Sequence, residues 1–301
     1  MEVFAGKNGF CWFQGVVENR NDPEQLGRVK VRCLGFHTEN KQELPTEDLP
    51  WAYPVQPITS AAMSGIGESP IGPVEGTWVF GFFRDGESAQ EPMFLGTLGG
   101  VPVEKANGDE GFNDPAGIYP LESLVGEPDT NRLARGDESE TVVEKKKNDK
   151  DKMTLAGGVG GGAEVEEPET PYDAKYPFNH VKQSESGHIQ EIDDTPGAER
   201  LHKYHRSGTF EEIHPDGKQV IKIVGDKYEA VLKDNNLHVK GNLNITVDGD
   251  ASVYSKGDCT LQVDGDMEEI IGGDLKINSG GSVQITASSD ITLDGSSIRL
   301  N

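Results

Sequence analysis

Apolar and polar positions change rhythm along this chain. In the first hundred residues they form strand-length runs: CWFQGVVEN, GRVKVRCLGFH, WAYPVQPI, GTWVFGFFRDG and EPMFLGTLG. Turns rich in Gly, Pro, Asn and Asp separate the runs, and no helical period intervenes. In the last third the rhythm becomes a repeat of eight. Gly225, Gly241, Gly249, Gly257, Gly265, Gly273 and Gly281 share one register, and Lys233 and Ser289 fill the slots without glycine. An acidic or amide residue usually follows the slot, as at Asp226, Asn242, Asp250, Asp258, Asp266 and Asp274. Between slots apolar residues alternate: Val239, Leu243, Ile245, Val247, Val253, Leu261, Val263, Ile271, Leu275, Ile277, Val283 and Ile285. Alternation means strand, and a glycine–acid pair closing each unit means a tight corner, where glycine can take positive φ.

Each octad is therefore expected to be a short strand plus a corner. Its inward stripe has nothing of its own to cover it, and its edges are unpaired. Two arrangements supply neighbours. One chain could coil into a β-solenoid, or three chains could wind together, each octad forming one face of a triangular prism. Nine octads give only three turns of a single-chain coil, so the three-chain form is preferred. Calcium-binding β-rolls have a nine-residue period with paired glycines, which the octads lack.

The five N-terminal runs predict a small barrel such as an OB-fold over 1–104. Trp12, Trp51 and Trp78 could stack on bases, but core or interface positions fit better, because no basic groove accompanies them. Of 301 residues, 34% are hydrophobic, 38 are glycine, and the formal net charge is −24. Such a chain repels phosphate backbones and anionic lipid, so no nucleic-acid partner is expected. Cys11, Cys33 and Cys259 form neither a disulfide framework nor a zinc motif. Neither a signal peptide nor a membrane-length apolar run is visible, so assembly in a bacterial cytoplasm is expected.

Several blocks together carry a family resemblance. GVVENRNDPEQLGRVKVRCLGFH, LPTEDLPWAYPVQPITSAAMSGIG, GPVEGTWVFGFF and GFNDPAGIYP occur in order, followed by SESGHIQEIDDTPGAERLHKYHRSGTFEEIHPDGKQVIKIVGDKYEAV and the octads. They resemble the central spike proteins of T-even-like contractile phage tails, whose plan the spikes of type VI secretion share. The resemblance covers all but about residues 120–175. It implies an all-β homotrimer: an N-terminal OB barrel, a linker, and an intertwined triple-stranded β-helix. It also implies attachment to a trimeric hub at the centre of the baseplate, in the virion, and passage through the host outer membrane when the sheath contracts.

The best-known members carry a lysozyme domain between barrel and helix. Here the segment from Val101 to Gln183 is too short for one, and residues 105–175 read as a connector, charge-rich, then glycine-rich, then rich in Pro and Glu. Glu138, Glu140 and Glu144 could be imagined as glycosidase acids, but nothing is expected to hold them in a cleft. AGGVGGG lacks the Lys-Ser/Thr of a phosphate loop. The chain is read as a non-enzyme without cofactor. Residues 176–223 should form a β-rich collar leading into octads 224–301. Within it, His202 and His205 would point to opposite faces of an extended segment, which disfavours a metal pair and leaves ordinary surface histidines. Some family members end in an iron-binding His-x-His tip; SSIRLN has no histidine. The end of the prism, Ile298, Arg299, Leu300 and Asn301, should instead meet a small capping protein. A peptidoglycan hydrolase and a calcium-dependent β-roll adhesin are the competing readings.

Overall fold

The structure is a computed structural model that describes residues 10–157 and 161–299. Five strands form a closed barrel: β1 (Cys11–Asn19), β2 (Val29–Cys33), β3 (Trp51–Pro54), β4 (Trp78–Phe83) and β5 (Pro92–Leu98), in the order β1-β2-β3-β5-β4. Each lies inside one of the apolar runs. All pairs are antiparallel except β3 with β5. Phe13, Val17, Val29, Val31, Cys33, Ala52, Val79, Phe83 and Phe94 fill the interior. Burial pushes the Cys33 thiol up to about 12, so it packs as an inert apolar group.

Glycine is required where backbones crowd. A Cβ on Gly81 would lie 2.0 Å from the Met93 carbonyl oxygen, where β4 and β5 shift register. A buried ion pair lies on the outer side of the barrel wall, at positions that alternate with the core-facing Val17 and Val31. Arg32 Nε donates to Glu18 Oε1 at 2.6 Å and Nη2 to Oε2 at 3.1 Å, and the Thr46 hydroxyl and the Phe112 N–H also donate to Glu18. Burial opposes charge on Glu18, but these donors outweigh it and hold its carboxyl below the ordinary range.

The Phe112 contact shows that the barrel extends into the connector. Asp114 is buried and accepts N–H bonds from Ala116, Ile118 and Tyr119. Farther on, Leu133, Val142 and Val143 are buried against the collar. The last two begin a short helix, α1 (Thr141–Asn148). The remaining connector forms a two-stranded hairpin, β6 (Lys152–Thr154) with β7 (Glu164–Glu166). Scattered apolar residues before the hairpin, Leu133, Val142 and Val143, thus find partners that the composition of the connector did not suggest.

The collar is a five-stranded antiparallel meander: β8 (Asn179–Gln183), β9 (Ile189–Asp193), β10 (Arg200–Tyr204), β11 (Phe210–Ile213) and β12 (Gln219–Lys222). Two-residue alternation sends Ile189, Tyr204 and Phe210 inward, to pack with Tyr172, Ala174 and Leu133. Arg20 at the end of β1 donates twice to Glu185, at 2.7 and 2.9 Å, and the Tyr119 hydroxyl donates to the same carboxylate. By backbone contacts the chain divides into two units, 1–143 with 171–224, and 144–170 with 225–301.

Candidate assembly site

Residues 225–299 contain the repeat. The backbone bends at 224–225, 232–233, 240–241, 248–249, 256–257, 264–265, 272–273, 280–281 and 288–289, every eighth residue, including the slots held by Lys233 and Ser289. A further bend at 295–296 breaks the period. Gly225, Gly241, Gly249, Gly257, Gly265, Gly273 and Gly281 all lie in these bends. None has φ in the left-handed region, and a Cβ on any of them would meet nothing within 4 Å. This corrects the expectation of positive φ: the corner is a bend made without left-handed backbone, so such strain does not explain the glycines.

Among the described residues, 225–299 form no strand ladder. The apolar positions between the bends, Val239, Leu243, Ile245, Val247, Val253, Leu261, Val263, Ile271, Leu275, Ile277, Val283 and Ile285, stand open, with exposures from 43% to 95%. Exposed apolar area on this scale is rare on a protein that works alone. Backbone N–H and C=O groups lacking partners in their own chain are ready to bond another. Ile298 and Arg299 are exposed at the end of this region, and Leu300 and Asn301 lie outside the described residues.

In the collar, the inward face is half charged. Arg200 joins two carboxylates, Nη2 to Glu191 Oε2 at 2.6 Å and Nη1 to Glu212 Oε1 at 2.9 Å. His202 Nδ1 lies 2.7 Å from Glu191 Oε1, Asn179 donates to Glu191, and His214 Nε2 is 3.2 Å from Glu212. All six side chains are buried, as is the adjacent Asp193. Burial works to raise the Glu191 pKa, but the bonds and charge of His202, Arg200 and Asn179 prevail and lower it to about 2. His202 is therefore not a surface histidine. It faces inward while His205 is exposed, since the intervening spacing is odd in an extended chain. Sequence reasoning missed this cluster. Its signal was Glu191, Asp193, Arg200, His202 and Glu212 at alternate positions of consecutive strands, where apolar residues belong.

On the barrel, Trp12 and Trp78 are partly exposed outside the core, and Trp12 stacks on Phe80 with ring centroids 5.2 Å apart. Trp51 lies under the side chains of Arg28 and Lys30. Glu140 is 3.7 Å from Arg132, and Glu127 binds both Arg132 and Arg135, so the connector acids here are ion-pair partners.

These modules have known counterparts. The chain is 50% identical to Protein Gp5 of Vibrio phage KVP40, over 80% of this chain and 64% of that protein. It is 50% identical to the pre-baseplate central spike protein Gp5 of Enterobacteria phage T4, over 46% of this chain and 24% of that protein. The matched stretch thus spans less than two thirds of either relative. The family of the Gp5 N-terminal OB domain matches residues 35–196, from inside the barrel through the connector into the collar. With more than half its length in that match, and with the closed barrel the family name describes, the chain belongs to the Gp5 N-terminal OB domain family.

Proposed function

We propose that this chain is the structural, non-enzymatic central spike of a contractile phage tail baseplate, and that it works as a homotrimer. The single observation that carries the reading is the octad region: a bend every eight residues, with an apolar stripe and a backbone that the chain itself leaves uncovered. Three copies wound about a common axis would pair each strand with strands of the other two, and bury the stripes along the axis. At a strand spacing of about 4.8 Å, nine octads make a prism roughly 40–50 Å long. Glycine at the corner leaves room for close approach of a neighbouring chain, which is the role remaining once positive φ is set aside.

Such a prism suits puncture. Its hydrogen bonds run along the axis of load, its corners carry little bulk, and its acidic surface resists adhesion to an anionic envelope. The relatives' names, a baseplate spike among them, support a role in the virion. The barrel end would attach to a trimeric hub, and the opposite end would cross the host outer membrane on sheath contraction. Ile298 and the open strand ends make a blunt, apolar tip, so a small capping protein would close it over Ile298, Arg299, Leu300 and Asn301. Assembly would take place in the host bacterial cytoplasm. Deletion from Ser296 onward tests the cap: loss of cap binding with the trimer retained supports it, and unchanged binding refutes it.

A further inference from the structure

At one end of the collar sheet two histidines stand side by side. The pairing of β9 with β10 ends on Ile189 and Tyr204, whose side chains are buried. One step beyond that pair, alternation turns His188 and His205 to the opposite face, where His205 is exposed and His188 half-buried. Their ring centroids are 4.5 Å apart and the ring planes are tilted by 40°. Each histidine sits at the foot of a tight turn that fixes its backbone. The His188 N–H donates to the Ser184 hydroxyl and its carbonyl accepts from the Ser184 N–H, across a turn in which Gly187 has φ +87°. The His205 N–H donates to the Thr209 carbonyl and its own carbonyl accepts from the N–H of Gly208, which has φ +101°.

We propose that His188 and His205 together chelate a divalent transition-metal ion, of the class of Zn²⁺, Ni²⁺ and Cu²⁺, and so join the two turns. The first support is distance. An imidazole nitrogen binds such an ion at about 2.0–2.1 Å, and two rings that share one ion at roughly a right angle have centroids about 4–5 Å apart. The pair has that spacing on a backbone already set by the sheet, so little ordering remains to be done on binding. The second is the hydrogen bond behind the ring. His205 Nδ1 lies 2.8 Å from the Ser207 hydroxyl oxygen, closer than the Ser207 N–H at 3.2 Å. With the proton on Nδ1 donated to that oxygen, Nε2 keeps its lone pair for the ion, the usual arrangement behind a ligating histidine. The third is the donor set. Among the described residues no group of three or more His, Cys, Asp and Glu is placed to hold a metal, so two imidazoles are the protein's share and water completes the shell. Nitrogen donors without a carboxylate select the transition ions over Mg²⁺ and Ca²⁺. The turn held in this way is the one that carries Glu185, which binds Arg20 and Tyr119. His205 was considered at the level of sequence only with His202; its partner is instead His188, seventeen residues away in the chain and adjacent across the sheet.

The test is titration calorimetry of NiCl₂ into the full chain, purified without a histidine tag and carrying Cys259→Ser to remove the exposed thiol. His188→Asn and His205→Asn are compared with His180→Asn, an exposed histidine outside the pair. One ion per chain in the Cys259→Ser parent and in His180→Asn, weakened at least about ten-fold by either change within the pair, is the expected result. Stoichiometry is counted per chain, so the outcome does not depend on the homotrimer reading. Binding that survives either change within the pair, or no saturable binding up to about 1 mM ion, overturns the proposal. If either variant fails to fold by circular dichroism, Cu²⁺ on the Cys259→Ser chain decides. Electron paramagnetic resonance showing two coordinated imidazole nitrogens supports the site, and one or none overturns it.

Discussion

Replacing Arg200 with Ala removes the one fixed cation between two buried carboxylates. Arg200 and Glu191 are each 1% exposed at the side chain and Glu212 is 0%, so water cannot enter to replace the guanidinium without opening the sheet. Glu191 would keep His202 and Asn179, whereas Glu212 would keep only the longer contact to His214 among the contacts described above. Breaking a buried pair from one side costs about 3–5 kcal/mol, because the stranded charge retains its desolvation cost. Converted at about 1.4 kcal/mol per factor of ten, that is roughly a hundred- to several-thousand-fold loss of amide protection in β9, β10 and β11. Hydrogen exchange reads this strand by strand, and β1 to β5 should be unchanged because the barrel has its own core. Arg200→Lys should fall between the two, since an ammonium cannot span both carboxylates as a planar fork does. A change under ten-fold in the collar on Arg200→Ala would refute the view that this cluster holds the sheet together.

Four further outcomes follow from the same contacts. Because Glu191 titrates at about 2 in the folded chain, its contribution to stability is complete above the ordinary carboxylate range and is lost as pH falls from about 4.5 through 2; acid unfolding monitored in the collar should steepen there, and Glu191→Gln should flatten it. Gly81→Ala should unfold the barrel selectively, because the added methyl would overlap the Met93 carbonyl; a barrel melting within a degree of the parent would contradict it. Limited proteolysis should cut between Asp149 and Thr170 and spare Leu133 to Val143, which are packed in the collar core; early cuts at 133–143 would contradict that packing. Gly257→Val should leave the barrel and collar intact, since no atom lies within 4 Å of the new Cβ, yet reduce trimer recovery, while Asp258→Asn should not; equal recovery of the two would remove the close-approach role assigned to the glycine.

How much of this was legible depends on what each residue answers to. The barrel strands were readable because their alternation is set by one local interior; CWFQGVVEN became β1 residue for residue. The octad period was readable for the same reason, since corners recur where the sequence repeats. The collar charges were not, because Glu191, Arg200, His202 and Glu212 are acceptable inside only as a set, and no one of them announces the other three. The connector misled through composition: its charge density hid Asp114, Leu133 and Val143, whose partners lie far away in sequence. Glycine misled too. A repeated Gly-Asp suggests left-handed backbone, but the slots bend without it, and Lys233 and Ser289 occupy the same geometry.

The central claim is that the octads are completed by other copies of the chain. A native mass measurement of the full-length protein at low micromolar concentration tests it most directly. The account predicts one species at three times the 32.6 kDa chain mass, persisting on dilution because separating wound chains would expose all their strand edges at once. A folded species at the mass of a single chain would contradict it.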